Sequence, residues 1–575
     1  MIKNRIVIYF YVFLYAFLCF APAHFTGNYL LAVLAVYFYY KLKANRFPTS
    51  YGNRFFQLFL VLSLIQSFCS GTISRSLYVF FKYLFVYLAF VDLHYFVDKD
   101  TKEKIQLLWL YLSIPLLFLG VYQSFFVDID MPLNWYNHLA GAPSINRAFG
   151  LFNNPNIFGS FTLILSLYSL LKDSDNKNIK KSLIFITIFL ALVCVFTLSR
   201  GAVLSLLIGI VLVALSHREK RSLAILLLIL ICVSFHFSGR STGVAEVDLG
   251  ANQRVELYKG VKQYISTHWL QGTGPGTFHI NYPSYRTLGG YYPLYAHNQL
   301  LEIWCEGGVL AFTLILLSLA FLFLNITLSS QILLIACLSN SMVNSSYSFF
   351  IIVLMVIGFL EQKQSKTDLQ KVPKFVGVTV FILLAVFMSY QEFKRKVIVN
   401  KKIVSSKKLI HFVDQDYEFA IQFIKQRLKM KLNKDTIFEY IDWLNSFTKT
   451  MPRESETFYV LGQLAEKAKQ SRVAYAFYKQ SLRLDRFSEK NAIAVIRLSG
   501  YFKDYDYIQK VVDRVLYSNY QYRKINALYD QIQYFYIVSL IEQKKDAEAK
   551  AFFNKCIWVD DQFKENLAKN LFKEN

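Results

Sequence analysis

About thirteen apolar runs with few charges divide the first 390 residues of this chain, and they constrain its fold more than any other feature. They fall near residues 6–23, 28–40, 55–71, 77–95, 105–126, 157–171, 182–198, 202–216, 222–237, 300–324, 331–345, 347–360 and 375–390. Inside a bilayer every backbone amide must find its partner within its own segment, so runs of this kind become membrane helices. The pairs 182–198/202–216 and 331–345/347–360 read as short hairpins. The expected fold class is therefore all-α, a polytopic membrane helical bundle of about 12–13 spans over residues 1–390, followed by a soluble α-helical domain over 391–575.

The formal charge of +24 in a chain that is 54% hydrophobic and only 18% charged could suggest nucleic acid, but its placement argues otherwise. The cations cluster in alternate connections: Lys41, Lys43, Arg46 and Arg54; Lys172, Lys177, Lys180 and Lys181; His217 to Arg221; Lys363, Lys366, Lys371 and Lys374. With Lys3 and Arg5 inside, all of them fall on the cytoplasmic face, as the positive-inside rule requires. The same count puts the 127–156 loop, the Arg200 hairpin, the 238–299 loop and the C-terminal domain outside. Membrane lipids are thus the expected surroundings, and nucleic acid is not an expected partner. The Ala21-Pro-Ala23 step imitates a cleavage site, but its proline argues for a retained first helix. Six of the seven cysteines lie in apolar spans and Cys556 stands alone, with no CxxC and no Cys/His cluster. Neither a disulfide framework nor a metal site is expected, and no cofactor.

Past residue 391 the pattern becomes polar and amphipathic. Phe458, Leu461, Gly462, Ala465, Ala474, Tyr478 and Leu482 follow the small-and-large spacing of a tetratricopeptide unit. Residues 546–553 and, more weakly, 416–420 resemble parts of further units. A generic helical bundle is the alternative.

The chemistry is expected in the polar run from about Ser238 to Gln299, because long aromatic loops without helical repeats are usually functional. Arg147 in Asn146-Arg-Ala-Phe-Gly, Arg200 in Leu198-Ser-Arg-Gly201, Arg254 and His297 all reach the outer face by topology. A guanidinium fork pairs two phosphate oxygens at once, although snorkelling accounts for an arginine in a tight turn as well. His297 adjoins Asn298 and opens a helix carrying Glu302 and Glu306, whose i,i+4 spacing puts them on one face. The glutamates could orient the histidine, line a cavity or simply favour the helix start. Gly272, Gly274 and Gly276 lack the Lys-Ser/Thr of a P-loop and read as a tight turn bringing amides near a substrate. Tyr282, Tyr285, Tyr291, Tyr292 and Tyr295 could stack on sugars or form an interfacial belt.

Arg147 with Asn-Pro-Asn156, Ser199-Arg-Gly201, Arg254, Gly272-x-Gly-x-Gly-x-Phe278 and His297-Asn298…Glu302…Glu306-Gly-Gly308 together resemble the O-antigen ligase superfamily. That superfamily includes lipopolysaccharide O-antigen ligases, bacterial protein O-oligosaccharyltransferases and O-antigen polymerases. The resemblance implies an enzyme of the bacterial inner membrane that transfers a glycan from undecaprenyl diphosphate on the periplasmic face, with inversion and without a metal. It implies that Arg200 and Arg254 bind the diphosphate, assisted by Arg147, and that His297 activates the acceptor or orients the leaving group. Asn156, Gly274, Gly276, Asn298, Glu302 and Glu306 are carried over as further substrate-binding positions. The repeat-like domain resembles what many protein O-oligosaccharyltransferases carry, whereas lipid A ligases usually end soon after the last span. The expected acceptor is a protein Ser/Thr or a lipid A core, with a polymerase extending lipid-linked repeats, and a transporter gated by the outer loop, as the alternatives.

Overall fold

The computed structural model describes residues 2–20, 46–48, 50–126, 147–152, 154–237, 249–287, 293, 295–344, 350–363, 369–371, 417–430, 432–450, 454–517, 528–556, 558 and 560–572. The expected spans 28–40 and 375–390 and Tyr291 and Tyr292 lie outside them. The described membrane part is helical: α1 (Ile2–Phe20), α2 (Tyr51–Cys69), α3 (Ile73–Val91), α4 (Lys99–Phe126), α5 (Pro155–Leu171), α6 (Lys177–Phe196), α7 (Arg200–Ser216) and α8 (Arg221–Phe237). It continues through α9 (Leu249–His268), the single turn α10 (Phe278–Asn281), α11 (Gln299–Asn325), α12 (Leu328–Ser341) and α13 (Phe350–Phe359). Among the described residues four helices are long and apolar enough to cross a membrane, at Arg75–Phe96, Lys99–Phe125, Lys177–Phe196 and Gln299–Asn325. The shorter apolar helices include α5, α7 and α12. The chain is an all-α, multi-pass membrane protein, as its apolar periodicity dictates.

Helix α5 is the axis of the bundle: every residue in it is buried except Asn156. Close helix contacts use small residues against large ones, as at Gly209, where an added methyl would lie 2.6 Å from Leu167 Cδ1. Several polar side chains inside the bundle pair with one another or with backbone. Tyr11 donates to Asp92 Oδ2 at 2.9 Å, and Trp109 donates its Nε1 to the Tyr11 carbonyl at 3.1 Å while stacking on Tyr15. Short strands β1 (Arg46–Pro48) and β2 (Leu369–Lys371) pair antiparallel, Arg46 opposite Lys371. Both belong to basic connections that the charge pattern assigns to one face.

The C-terminal part comprises α14 (Tyr417–Leu428), α15 (Lys434–Thr450), α16 (Ser455–Lys467), α17 (Ser471–Leu484), α18 (Glu489–Tyr501), α19 (Tyr505–Val512), α20 (Leu528–Glu542), α21 (Asp546–Lys555) and α22 (Asp561–Phe572). These form helical hairpins. The pairs α16/α17 and α18/α19 share one pattern, each with a left-handed residue in the turn, Lys469 and Lys503. Gly462 lets α16 and α17 approach closely: a methyl there would lie 2.5 Å from Tyr478 Cε1.

Candidate functional site

The outer loop is organised by a break in α11. Gly308 takes φ 69° and ψ −175° inside this helix, and a side chain there would meet the Leu270 carbonyl at 2.2 Å. The break frees the preceding backbone to act as an acceptor. The Glu306 carbonyl receives the amides of Thr273 and Gly274 at 2.9 and 2.8 Å, and its carboxylate receives those of Gly276 and Phe278 at 2.7 and 3.0 Å. Val309 donates to the Trp269 carbonyl at 2.8 Å, and Gln66 of α2 donates to the carbonyls of Gln271 and Gly307, both at 2.9 Å. Gly272, at φ 66°, lies so close that a β-carbon would stand 2.2 Å from the Glu306 oxygen. The glycine turn is therefore a fitted insert in the helix break. Gly274 and Gly276 press on the α2–α3 hairpin, beside Ser70 and Val79 respectively.

Glu302 performs the same service one helical turn earlier. Its Oε2 accepts the Ala296 amide at 2.9 Å, and Asn298 caps α11 by accepting from Leu301 at 3.1 Å. Between them His297 sits at φ 51°, a left-handed conformation that a non-glycine residue holds only where its surroundings enforce it. Its carbonyl accepts from Tyr258 at 3.3 Å. Burial, and then the nearby Arg254 guanidinium, hold the imidazole pKa down at about 4. His297 is thus a neutral imidazole at physiological pH, able to receive a proton.

Arg254 and Tyr258 are four residues apart on α9, on one face. Tyr258 also reaches the Met342 carbonyl at 3.2 Å. The α6–α7 hairpin arrives at the same place: a methyl on Gly201 would lie 2.7 Å from Val343 Cγ2 and 2.8 Å from Asn344 Nδ2. Arg200 is exposed there. A buried ladder continues inward, Asn344 donating to Asn340 at 2.7 Å, Asn340 to Ser160 at 2.6 Å, and Ser160 to the Asn156 carbonyl at 3.0 Å. Arg147 closes it, donating to the Thr197 carbonyl at 2.8 Å and to Asn156 Oδ1 at 3.4 Å. Arg200, Arg254 and His297 therefore gather around residues 342–344, with Arg147 and Asn156 at the far end of the ladder. Glu302, Glu306 and Asn298 hold backbone in place, and Gly274 and Gly276 belong to the fitted turn.

Sequence reasoning missed Tyr258, Asn340, Asn344 and Arg75. Arg75 donates its Nε to the Gly276 carbonyl at 2.7 Å. Its signal was available, since like Arg200 it stands in a tight turn between two apolar spans. Tyr282 and Tyr285 serve neither as exposed sugar platforms nor as a belt: both are buried, Tyr285 stacking on Tyr264 at 4.9 Å and Tyr282 on Phe278 at 5.0 Å. They form a small core beneath the loop.

The C-terminal hairpins seat on this loop. Arg286 donates to Asp485 Oδ1 at 2.6 Å, both side chains buried. Arg286 also lies over the Phe487 ring, and Ile280 enters a hydrophobic cluster with Ile424, Tyr440, Trp443 and Leu461.

No curated protein matches the chain. Residues 185–316 match the O-antigen ligase family, a span that includes Arg200, Arg254, the glycine turn, His297 and both glutamates. The resemblance read from the motifs is thereby borne out, and the chain carries an O-antigen ligase family region over residues 185–316 of an all-α, multi-pass membrane protein.

Proposed function

We propose that this protein is a membrane glycosyltransferase that moves a preassembled glycan from undecaprenyl diphosphate to an acceptor hydroxyl at the periplasmic face of the bacterial inner membrane. The observation that carries this reading is the convergence of Arg200, Arg254 and a buried neutral His297 around residues 342–344 within the matched region. The two guanidinium groups take the diphosphate, with Arg147 bracing the site through Asn156 and the α6–α7 turn. The acceptor oxygen forms a bond to the anomeric carbon as the bond from that carbon to the phosphate oxygen breaks. The electron pair leaves with undecaprenyl diphosphate, and the hydroxyl proton passes to His297 Nδ1 or Nε2. Fixed cationic donors at the leaving group lower the barrier most where charge develops, and holding both partners in line supplies much of the remainder.

The C-terminal hairpins are read as a tetratricopeptide-like domain that presents the acceptor. Their buried ion pair with the loop, Arg286 to Asp485, favours a protein Ser/Thr acceptor over a lipid A core or a growing lipid-linked repeat. The test is transfer by purified protein in vesicles supplied with undecaprenyl-diphosphate glycan, comparing Arg200→Lys and Arg254→Lys with wild type. A lysine keeps the charge but loses the bidentate fork, so each variant should lose at least about tenfold in kcat/KM, equivalent to about 1.4 kcal/mol. Full activity in both removes the diphosphate assignment.

A further inference from the structure

Two carboxylates, Glu302 and Glu306, lie buried one helical turn apart on the same face of α11, at 7% and 4% exposure. Like charges so placed repel strongly in a low-dielectric interior unless cations stand beside them. The structure supplies those cations from a single helix. Arg75 and Lys82 are seven residues apart on α3, on one face with Val79, which packs on Gly276. Arg75 favours the ionised form of both carboxylates and Lys82 that of Glu302, partly offsetting the larger opposing effect of burial and, at Glu302, of the Glu306 charge. Each carboxylate in turn grips one part of the outer loop. Glu306 holds the amides of Gly276 and Phe278, and Glu302 holds the amide immediately before His297. Arg75 adds a direct bond to the Gly276 carbonyl, so donors and acceptors on both sides of Gly276 are fixed from α3 and α11 together. Tyr78, Tyr83, Tyr264, Tyr295 and Cys305 are neutral groups within reach of the quartet, and His279, held at about pKa 3 by burial and by Arg75, stays uncharged beside it.

We propose that Arg75, bonded to the Gly276 carbonyl and, with Lys82, offsetting part of the charge of the Glu302–Glu306 pair, is a positioning residue for the transfer reaction: it fixes the glycine turn and the strained backbone that presents His297. No bond of the reaction is made at Arg75; its effect runs through Glu306 to the turn and through Glu302 to Ala296. This rests on the proposed transferase activity for its kinetic arm, but not for its structural arm.

The experiment uses the full chain in lipid nanodiscs. Arg75→Gln removes one charge and leaves Lys82 as the remaining cation of α3 set against two carboxylates; adding Glu302→Gln restores the balance while keeping an acceptor for the Ala296 amide. In the structural arm, hydrogen exchange over segments 270–281 and 295–302 is expected to accelerate at least about tenfold in Arg75→Gln and to return toward wild type in the double variant. Arg75→Lys is expected to fall between. In the kinetic arm, with undecaprenyl-diphosphate glycan as donor, Arg75→Gln is expected to lower kcat about 10–100-fold, the scale of an ångström-level misplacement, with donor KM within about threefold. The double variant is expected to recover at least a tenth of wild-type kcat. Wild-type exchange and kcat in Arg75→Gln, or a double variant worse than the product of its two single variants, would overturn the proposal. If Arg75→Gln does not fold, Arg75→Lys and Glu302→Gln carry the same comparison. If the wild type transfers nothing, the function reading fails while the exchange arm still decides the role of Arg75.

Discussion

Replacing Gly272 with alanine tests how the loop is held. The added methyl must enter a site 2.2 Å from the Glu306 carbonyl oxygen and 2.6 Å from the Gly308 amide nitrogen, against helix backbone that cannot rotate away. Alanine at φ 66° itself costs about 1–2 kcal/mol. Moving Glu306 endangers the two backbone bonds its carbonyl accepts from Thr273 and Gly274, each worth about 0.5–1.5 kcal/mol net. The sum is about 2–5 kcal/mol, concentrated at one end of the loop. Gly500 provides the control: it lies in α18 with ordinary helical φ, and nothing stands within 4 Å of its added methyl. Alanine there should stabilise by about 0.5–1 kcal/mol through helix propensity. Purified protein in nanodiscs is followed by thermal unfolding, by exchange of the 270–281 amides and by glycan transfer. Gly272→Ala is expected to lower the unfolding temperature by several degrees, to expose those amides and to lose most activity, whereas Gly500→Ala is expected to gain slightly in temperature and keep full activity. A Gly272→Ala protein as stable, protected and active as wild type would refute the claim that the turn is a fitted insert.

Further outcomes follow from the same contacts. Asp485→Asn weakens a buried ion pair with Arg286; breaking such a pair costs about 3–5 kcal/mol, and limited proteolysis should release the C-terminal hairpins sooner than in wild type. Truncation at residue 400 bares Ile280 and strands Arg286, so the point variant is the cleaner probe of acceptor use. Gly201→Ala drives a methyl into Val343 and Asn344 and should reduce kcat more than it affects thermal stability. His297 titrates at about 4 rather than 6.5 because burial and Arg254 disfavour its cation. The acid limb of kcat/KM, which reports the free enzyme, should therefore lie near pH 4, and Arg254→Gln should move it upward. Since the folded state binds this proton less readily than the unfolded chain, the linked stability is present above pH 6.5 and is lost as pH falls toward 4. An acid limb that stays at pH 6.5 in both proteins would contradict the buried assignment.

The membrane helices were legible because apolar periodicity and charged punctuation are local properties. The runs at 157–171, 202–216 and 222–237 coincide within two residues with α5, α7 and α8, since each ends where a backbone leaves lipid. Arg200, Arg254 and His297 could be singled out by residue type and by face. What could not be read was pairing across long separations. That Glu306 grips residues 273–278, that Asn344 reaches Ser160 through Asn340, and that Arg75 meets Gly276 across 201 positions are outcomes of packing with no local signature. The tyrosines misled for the converse reason: an aromatic cluster in a polar loop looks like a binding face until burial shows it to be the loop's own core.

In the proposed reaction His297, held between Arg254 and the α11 cap, takes the acceptor proton while arginines hold the diphosphate. The most direct measurement is transfer in reconstituted vesicles with undecaprenyl-diphosphate glycan and a mixture of protein and lipid A-core acceptors, wild type against His297→Ala, with donor binding measured in parallel. This reaction requires glycan on the protein acceptor with wild type, a loss of about 100-fold or more in His297→Ala, and donor binding unchanged within about threefold. Equal transfer by both proteins would contradict it, as would glycan that only lengthens on its lipid carrier.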